Sequence, residues 1–161
     1  LESMDETLRA LRDPDAHADE MATLRRDRVD ELPALVERFR GAATKHAVLE
    51  LEDGLAGLLP RQVQRAVYRV VLESLTNVRR HAARATEVTV SVRRAAEDRD
   101  AVDVTVTDDG GRGGLLRLDR RRGGGTGLAE LAARVEALGG TLTAGPREKG
   151  WCVRARIPIR G

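Results

Sequence analysis

A long amphipathic segment at residues 60–82 is the feature of this sequence that most constrains its fold. Its apolar side chains recur every three or four positions, which predicts one face of an α-helix. Pro60 stands at the start, where a helix needs no backbone N–H donor and tolerates proline. A helix with one apolar face must bury that face against another layer of structure. The residues of the apolar face are Val63, Ala66, Val67, Val70, Val71, Ser74, Leu75 and Val78.

Alternating apolar and polar residues predict the strands of that second layer. The strand-like segments are residues 46–53, 85–94, 101–108 and a final hairpin at 140–159. Two shorter amphipathic helices are predicted at residues 31–40 and 127–139, the second with Gly139 as its C-cap. This order predicts a two-layer α/β sandwich, in which three helices cover one face of a mixed sheet of about five strands.

The N-terminal residues are predicted to lie outside this domain. Residues 1–13 include Met4, Leu8 and Leu11 at helical spacing, and Pro14 stops the helical pattern. Residues 14–29 are polar without a clear period and are predicted to form a linker. Residues 30–161 then make up one domain with a modest core.

Composition excludes several classes of function. The net charge of +2 is too small to favour nucleic-acid binding. The single cysteine, Cys152, cannot form an internal disulfide and gives no metal cluster. No apolar run approaches the roughly 18 residues of a membrane span, and we expect no signal peptide. Because the chain starts at Leu1, we expect a soluble fragment of a longer protein, whose anchor or partner domains would lie elsewhere.

The first candidate for chemistry lies on the long helix. Glu73, Asn77 and Arg80 are four and three residues apart, so they fall within about a 60° arc beside the apolar face. A carboxylate, an amide oxygen and a guanidinium that converge on a cleft suit a hydrated Mg²⁺ and the phosphates that it bridges. The alternative is a solvated helix edge with an ion pair across one or two turns.

The second candidate, residues 104–114, spans the end of a predicted strand and the glycines after it. Asp108 is the last residue of the alternation, so the sheet would fix its position. A carboxylate there could accept a hydrogen bond from an amine, for instance the exocyclic amine of adenine. Gly110 would let a flat ring approach the backbone. The alternative is a polar turn, since Asp-Gly is a strong turn signal.

The third candidate is "DRRRGGGTGLAEL" at residues 119–131, where arginines and glycines lead directly into a predicted helix. Thr126 or Gly127 would lie where free N–H groups and the helix dipole favour an anion such as phosphate. Neither the P-loop pattern nor the third glycine of the dinucleotide fingerprint is present. The alternative is a flexible surface loop, which such compositions often form. Together, the three candidates supply the separate parts that an ATP site requires.

In this order the motifs resemble the catalytic ATP-binding domain of bacterial two-component sensor histidine kinases. That domain has the GHKL (Bergerat) ATPase fold, which it shares with DNA gyrase and the chaperone Hsp90. The segment "ESLTNVRRHA" at 73–82 is similar to the N box, "VTDDGGRGG" at 106–114 to the G1 box, and "GGGTGLAELAARV" at 123–135 to the G2 box. The flanks "YRVVLESLTN" and "EALGGTLTAGP" resemble the branch that pairs with NarL/LuxR-type response regulators.

The resemblance implies ATP and Mg²⁺ as cofactors and a role for each matching residue. Glu73 and Asn77 would be catalytic: Asn77 would coordinate Mg²⁺, and Glu73 would order the metal's water shell or polarise the attacking group. Asp108 would bind the adenine amine and Gly110 would flank the ring. The other positions implied to contact the nucleotide are Arg80, His81, Gly113, Gly125, Thr126, Gly127 and Leu128, with residues 111–124 as a lid over ATP.

The sequence departs from the family pattern inside two of the boxes. Arg112 stands where the second glycine of the G1 box falls, so Gly111 is an extra residue or Gly113 takes that role. Thr126 stands where this branch often has histidine, although threonine is common in other branches.

The implied activity is transfer of the γ-phosphoryl group of ATP to a histidine on a companion dimerisation domain. The family's phosphoacceptor histidine is absent here, and residues 1–13 would be the tail of the dimerisation helices that carry it upstream. The partners would be that domain and, through the full-length protein, a NarL/LuxR-type response regulator, with no nucleic acid. We expect a cytoplasmic domain. The histidines that are present lie in the linker, a strand and the N box: His17, His46 and His81.

Two alternatives remain open. One is a serine kinase of the same ATPase fold that acts on an anti-sigma antagonist, which the helical tail before residue 13 and the "GGTLTAGP" hairpin disfavour. The other is a degenerate domain that keeps the fold without catalysis, for which the irregular G1 box leaves room.

Overall fold

The computed structural model describes residues 26–43, 46–82, 84–110 and 126–160. Short 3₁₀ turns precede two of the helices, at Val29–Glu31 and Leu55–Leu58. The α-helices among the described residues are α1 at Leu32–Ala43, α2 at Arg61–His81 and α3 at Thr126–Ala137. The strands are β1 at His46–Leu51, β2 at Glu87–Arg94, β3 at Ala101–Asp108, β4 at Thr141–Pro146 and β5 at Trp151–Pro158.

The strands form one five-stranded mixed sheet in the order β1-β2-β3-β5-β4. β1 pairs in parallel with β2, since α2 carries the chain back across the sheet between them. The other three pairings are antiparallel. The register places Asp108, the last residue of β3, between Val88 of β2 and Trp151 of β5. The predicted α/β sandwich of a mixed sheet and three helices is confirmed.

Valine side chains form much of the contact between the sheet and the helices. On β2, Val88, Val90 and Val92 are buried and alternate with more exposed residues. Their branched side chains have few rotamers to lose on burial, which suits a core with little aromatic content. The predicted apolar face of α2 is buried along its whole length, from Val63 to Val78. Among the described residues, no helix combines the length and apolar character needed to cross a lipid bilayer.

The C-terminus of α3 has the predicted glycine cap. Gly139 has a φ of +84°, a backbone conformation that favours glycine. Its N–H donates to the carbonyl of Glu136 over 2.9 Å, and the N–H of Gly140 donates to the carbonyl of Val135 over 2.9 Å. These bonds satisfy carbonyls that the last helical turn would leave without partners.

Buried Gln64 ties two preceding segments to α2. Its Oε1 accepts the N–H of Val29 over 3.2 Å. Its Nε2 donates to the carbonyls of Ala56 and Leu59, each over 3.1 Å. One side chain of α2 therefore satisfies backbone groups on both 3₁₀ turns and their flanks.

The last residues of the expected linker pack against the domain. Arg69 of α2 donates from Nε to Oδ2 of Asp27 over 2.7 Å, and the Asp27 side chain is buried. Val29 is buried as well. The remainder of the expected linker and the expected helix tail, residues 1–25, lie outside the described residues.

Candidate functional site

Helices α2 and α3 meet where Glu73 lies against Gly127. A Cβ at Gly127 would overlap the Glu73 carboxylate, so the absence of a side chain at Gly127 leaves room for Glu73 in this orientation. The carboxylate thus lies at the first turn of α3, where the helix dipole favours negative charge. This contact joins the N-box-like segment to the G2-like segment.

The C-terminal end of α2 meets the backbone that follows β3. Gly110 is buried, and a Cβ there would lie 3.1 Å from the Cβ of Ala82 and 3.4 Å from the Cβ of Ala85. The N–H of Gly110 donates to Oδ1 of Asp108 over 2.9 Å. Helix α2 therefore contacts the G2-like segment through Glu73 near its middle, and the residues directly after α2 contact the G1-like segment.

The two aspartates at the end of β3 have different surroundings. Asp108 is 4% exposed. Asp109 instead faces the start of β2, where its carboxylate accepts the N–H and the hydroxyl of Thr86, each over 2.7 Å, and the N–H of Glu87 over 3.0 Å. These bonds, that of the Thr86 hydroxyl above all, lower the pKa of Asp109 from 3.8 to about 2. Asp109 is therefore engaged in the fold, and Asp108 is the carboxylate that lies beside Gly110.

The other predicted residues of α2 lie on its C-terminal half. Asn77 is half-buried, Arg80 is exposed, and half-buried His81 is the last residue of the helix. They lie beside the face that is buried against the sheet, on the same helix edge as Glu73. Side chains at such a boundary are anchored at one end and reach solvent at the other.

Comparison with known proteins decides what these motifs belong to. Residues 62–161 match the family described as histidine kinase-, DNA gyrase B- and HSP90-like ATPase. The chain belongs to this ATPase family. Sensor histidine kinase YxjM of Bacillus subtilis (strain 168) is 36% identical to it over 112 residues, which is 70% of this chain and 25% of that protein. The chain thus spans about a quarter of the length of this curated relative.

Solved structures show the same ATPase fold. The blue-light activated histidine kinase of Erythrobacter litoralis EL346 aligns with a TM-score of 0.60 at 22% identity, covering 80% of this chain and 44% of that one. The histidine kinase AdeS of Acinetobacter baumannii aligns with a TM-score of 0.57 at 16% identity, covering 98% of this chain and 84% of that one. At these identities the likeness establishes the fold.

Of the other predicted positions in the G1-like and G2-like segments of this ATPase domain, some lie within the described residues and some do not. Helix α3 begins at Thr126, as expected for the G2-like segment, and half-buried Leu128 packs against the core. Gly113, Gly125 and the expected lid at residues 111–124 lie outside the described residues.

A cleft of about 210 Å³ between α2 and α3 does not include all of the predicted site. Glu73 and Gly127 line it, but Asn77, Arg80 and Asp108 do not. It extends from the Glu73–Gly127 contact towards the N-terminal half of α2, away from the Asp108 end. Its other lining residues are Arg65, Arg69, Leu72, Glu130, Leu131 and Arg134.

The structure adds one position that sequence reasoning did not select. Gly150, between β4 and β5, has a φ of +94°, and a Cβ there would overlap the carbonyl oxygen of Asp108. The signal in the sequence is a lone glycine directly before an alternating strand. What this glycine approaches follows only from the pairing of β5 with β3.

Proposed function

We propose that this chain is the catalytic ATP-binding domain of a sensor histidine kinase, which transfers the γ-phosphoryl group of ATP to a histidine on a companion dimerisation domain. The observation that carries the proposal is that α2 contacts Gly127 through Glu73, while Ala82, the residue directly after α2, lies against Gly110. Family membership and the YxjM relative support ATP as the phosphoryl donor. Phosphoryl transfer depends chiefly on positioning and charge neutralisation, so motifs gathered around one rigid helix suit it.

Asp108 is the proposed acceptor for the exocyclic amine of adenine. Its burial at a strand end and its hydrogen bond from Gly110 hold the carboxylate in one orientation. Gly110 would flank the ring, since it carries no side chain beside Asp108. A carboxylate held in this way can select an amine over a carbonyl at the same place on a purine.

The edge of α2 fits a hydrated Mg²⁺. Within residues 26–43, 46–82, 84–110 and 126–160, no group of three or more His, Cys, Asp and Glu could hold a metal ion. Mg²⁺ often takes one or two protein oxygens and completes its shell with water and substrate phosphate, so the amide oxygen of half-buried Asn77 suits it. When bound, the ion would neutralise phosphate charge. Glu73 would polarise the attacking group or order water.

The remaining contacts with the nucleotide stay predictions. Arg80 and His81, at the end of α2, would reach phosphates. The backbone at the start of α3 would hold phosphates through N–H groups and the helix dipole. The positions concerned are Gly125, Thr126, Gly127 and Leu128, together with Gly113 and the lid at residues 111–124.

The proposed organisation of the parent protein places the dimerisation helices before this domain. Residues 1–13 would be the tail of those helices, and the linker would end before Asp27, because Asp27 is paired with Arg69. The response regulator would be of the NarL/LuxR type, on the sequence resemblance of residues 68–77 and 136–146 to that branch. Because ATP is the donor, we expect the domain to work in the cytoplasm.

Two measurements test the proposal. Calorimetric titration of the chain with ATP, with and without Mg²⁺, should show binding that Mg²⁺ strengthens. A domain that binds no ATP would support the degenerate alternative instead. A phosphorylated product that survives acid would indicate phosphoserine and the serine-kinase alternative, because phosphohistidine is acid-labile.

The metal role of Asn77 is tested in the full-length kinase. Asn77→Ala should abolish Mg²⁺-dependent autophosphorylation, because it removes the amide oxygen. Gln62→Ala is a matched control: it removes an exposed amide from the first turn of the same helix and should leave the activity unchanged. Normal autophosphorylation of Asn77→Ala would contradict the proposed metal site.

A further inference from the structure

The turn between β4 and β5 lies against the backbone of Asp108. It is closed by a hydrogen bond from the N–H of Arg147 to the carbonyl of Gly150 over 3.1 Å. The next residue, Trp151, begins β5 and pairs with Asp108 in the register of β3 and β5. Gly150 therefore enters the sheet directly beside the last residue of β3.

Gly150 has no room for a side chain. A Cβ there would overlap the carbonyl oxygen of Asp108 and would lie 2.6 Å from its carbonyl carbon. It would also lie 2.9 Å from Oδ1 of the same residue. Two of these three atoms belong to the backbone and cannot rotate away, so a side chain at Gly150 must displace the end of β3 or the turn.

A side chain at Gly150 would crowd Oδ1 of Asp108, and the hydrogen bond to this same atom orients the carboxylate. Oδ1 accepts the N–H of Gly110 over 2.9 Å, and Gly110 lies against the end of α2. On the other side, Asp109 holds the chain to Thr86 at the start of β2. The chain after β3 is therefore restrained towards β2, and any shift of Asp108 away from a larger residue at Gly150 strains these bonds.

We propose that Gly150 is a positioning residue for nucleobase selection, an inference that rests on the proposed adenine-binding role of Asp108. By leaving space for the carbonyl and for Oδ1 of Asp108, Gly150 fixes the place of the carboxylate acceptor. Adenine presents an amine donor to that acceptor. Guanine presents a carbonyl oxygen at the same ring position, and two acceptors repel each other.

Titrations of the chain with ATP and with GTP test this role, with Gly150→Ala set against Gly139→Ala. Both glycines have a positive φ, +94° and +84°, so both variants carry similar backbone strain. Of the atoms in the described residues, a Cβ at Gly139 would meet only the Cγ of Pro158, at 3.6 Å. Gly150→Ala should raise the Kd for ATP about tenfold and change the Kd for GTP less than about twofold, the size expected for one charged hydrogen bond. Gly139→Ala should keep the ratio of the two constants.

If Gly150→Ala fails to fold, the variant Gly150→Asn still tests the proposal, and the fluorescence of Trp151 checks its folding. Asn tolerates positive φ better than Ala, so Gly150→Asn keeps the added Cβ with less backbone strain. In the unmodified chain, Trp151 is the only tryptophan and is paired with Asp108. Because Trp151 is also buried, its fluorescence followed through urea unfolding shows whether each Gly150 variant is folded before the titrations.

The outcomes separate this inference from the proposed function. If the unmodified chain prefers ATP and Asp108→Asn removes the preference, the function of Asp108 stands. Unchanged preference in a folded Gly150 variant then overturns the role of Gly150 alone. If the unmodified chain shows no preference for ATP, or if Asp108→Asn keeps it, the role of Asp108 fails and that of Gly150 fails with it.

Discussion

Replacing Asp109 by Asn should remove a pH-dependent part of the stability of this domain. The hydrogen bonds from Thr86 and Glu87 lower the pKa of Asp109 from 3.8 to about 2. At about 1.4 kcal/mol per pH unit, this difference would correspond to at most about 2.4 kcal/mol. Because water reaches this carboxylate and screens it, we expect about 1 kcal/mol.

The sign follows from the direction of the shift. The pKa of the folded state lies below that of the unfolded state, so the contribution is fully present above pH 3.8 and is lost as the pH falls towards 2. Asn retains one oxygen acceptor for Thr86 and Glu87 but carries no charge to titrate. The difference in unfolding free energy between the unmodified chain and Asp109→Asn should therefore shrink across this window.

Urea unfolding at a series of pH values from about 6 to about 2 measures that difference. Asp98→Asn is the matched control, because among the described residues Oδ1 of Asp98 accepts the N–H of Asp100 alone, over 3.0 Å, within an exposed loop. We expect the control to remain within about 0.5 kcal/mol of the unmodified chain throughout. A free-energy difference for Asp109→Asn that stays constant from the highest to the lowest pH would refute the reasoning.

Two further predictions concern stability and charge. Gln64→Leu should destabilise the domain by about 2–3 kcal/mol in urea unfolding, because the N–H of Val29 and two carbonyls lose their hydrogen-bond partners. Gln62→Leu, at an exposed position of the same helix, is the control. An equal loss of stability in both variants would contradict the role of Gln64. Arg156→Gln should raise the pKa of Asp103 in an NMR titration, because the bidentate bond from Arg156, with distances of 2.7 and 2.9 Å, is what holds that pKa low. An unchanged pKa would show that another group is responsible.

The secondary structure of this domain could be predicted because burial on one face imposes its period on the chain. The apolar face of α2, the alternation of β2 and β3, and the glycine cap at Gly139 are all local patterns. Their order was sufficient to predict the sandwich, since helices with one apolar face must cover a sheet. The packing of residues 26–29 against the domain could not be predicted, because an isolated buried residue such as Val29 shows no periodicity.

The candidate site likewise combines properties that are local to the sequence with contacts that depend on the folded chain. The sequence by itself determined which residues could carry the chemistry, because residue type and position on an element are local properties: Glu73 on a helix edge, Asp108 at a strand end. Only the tertiary structure decided that Glu73 lies against Gly127, that Asp109 is held by Thr86, and that Gly150 lies against Asp108. Each of these contacts joins segments far apart in the chain. Close packing sets such distances through the order and register of the strands, which no local pattern encodes.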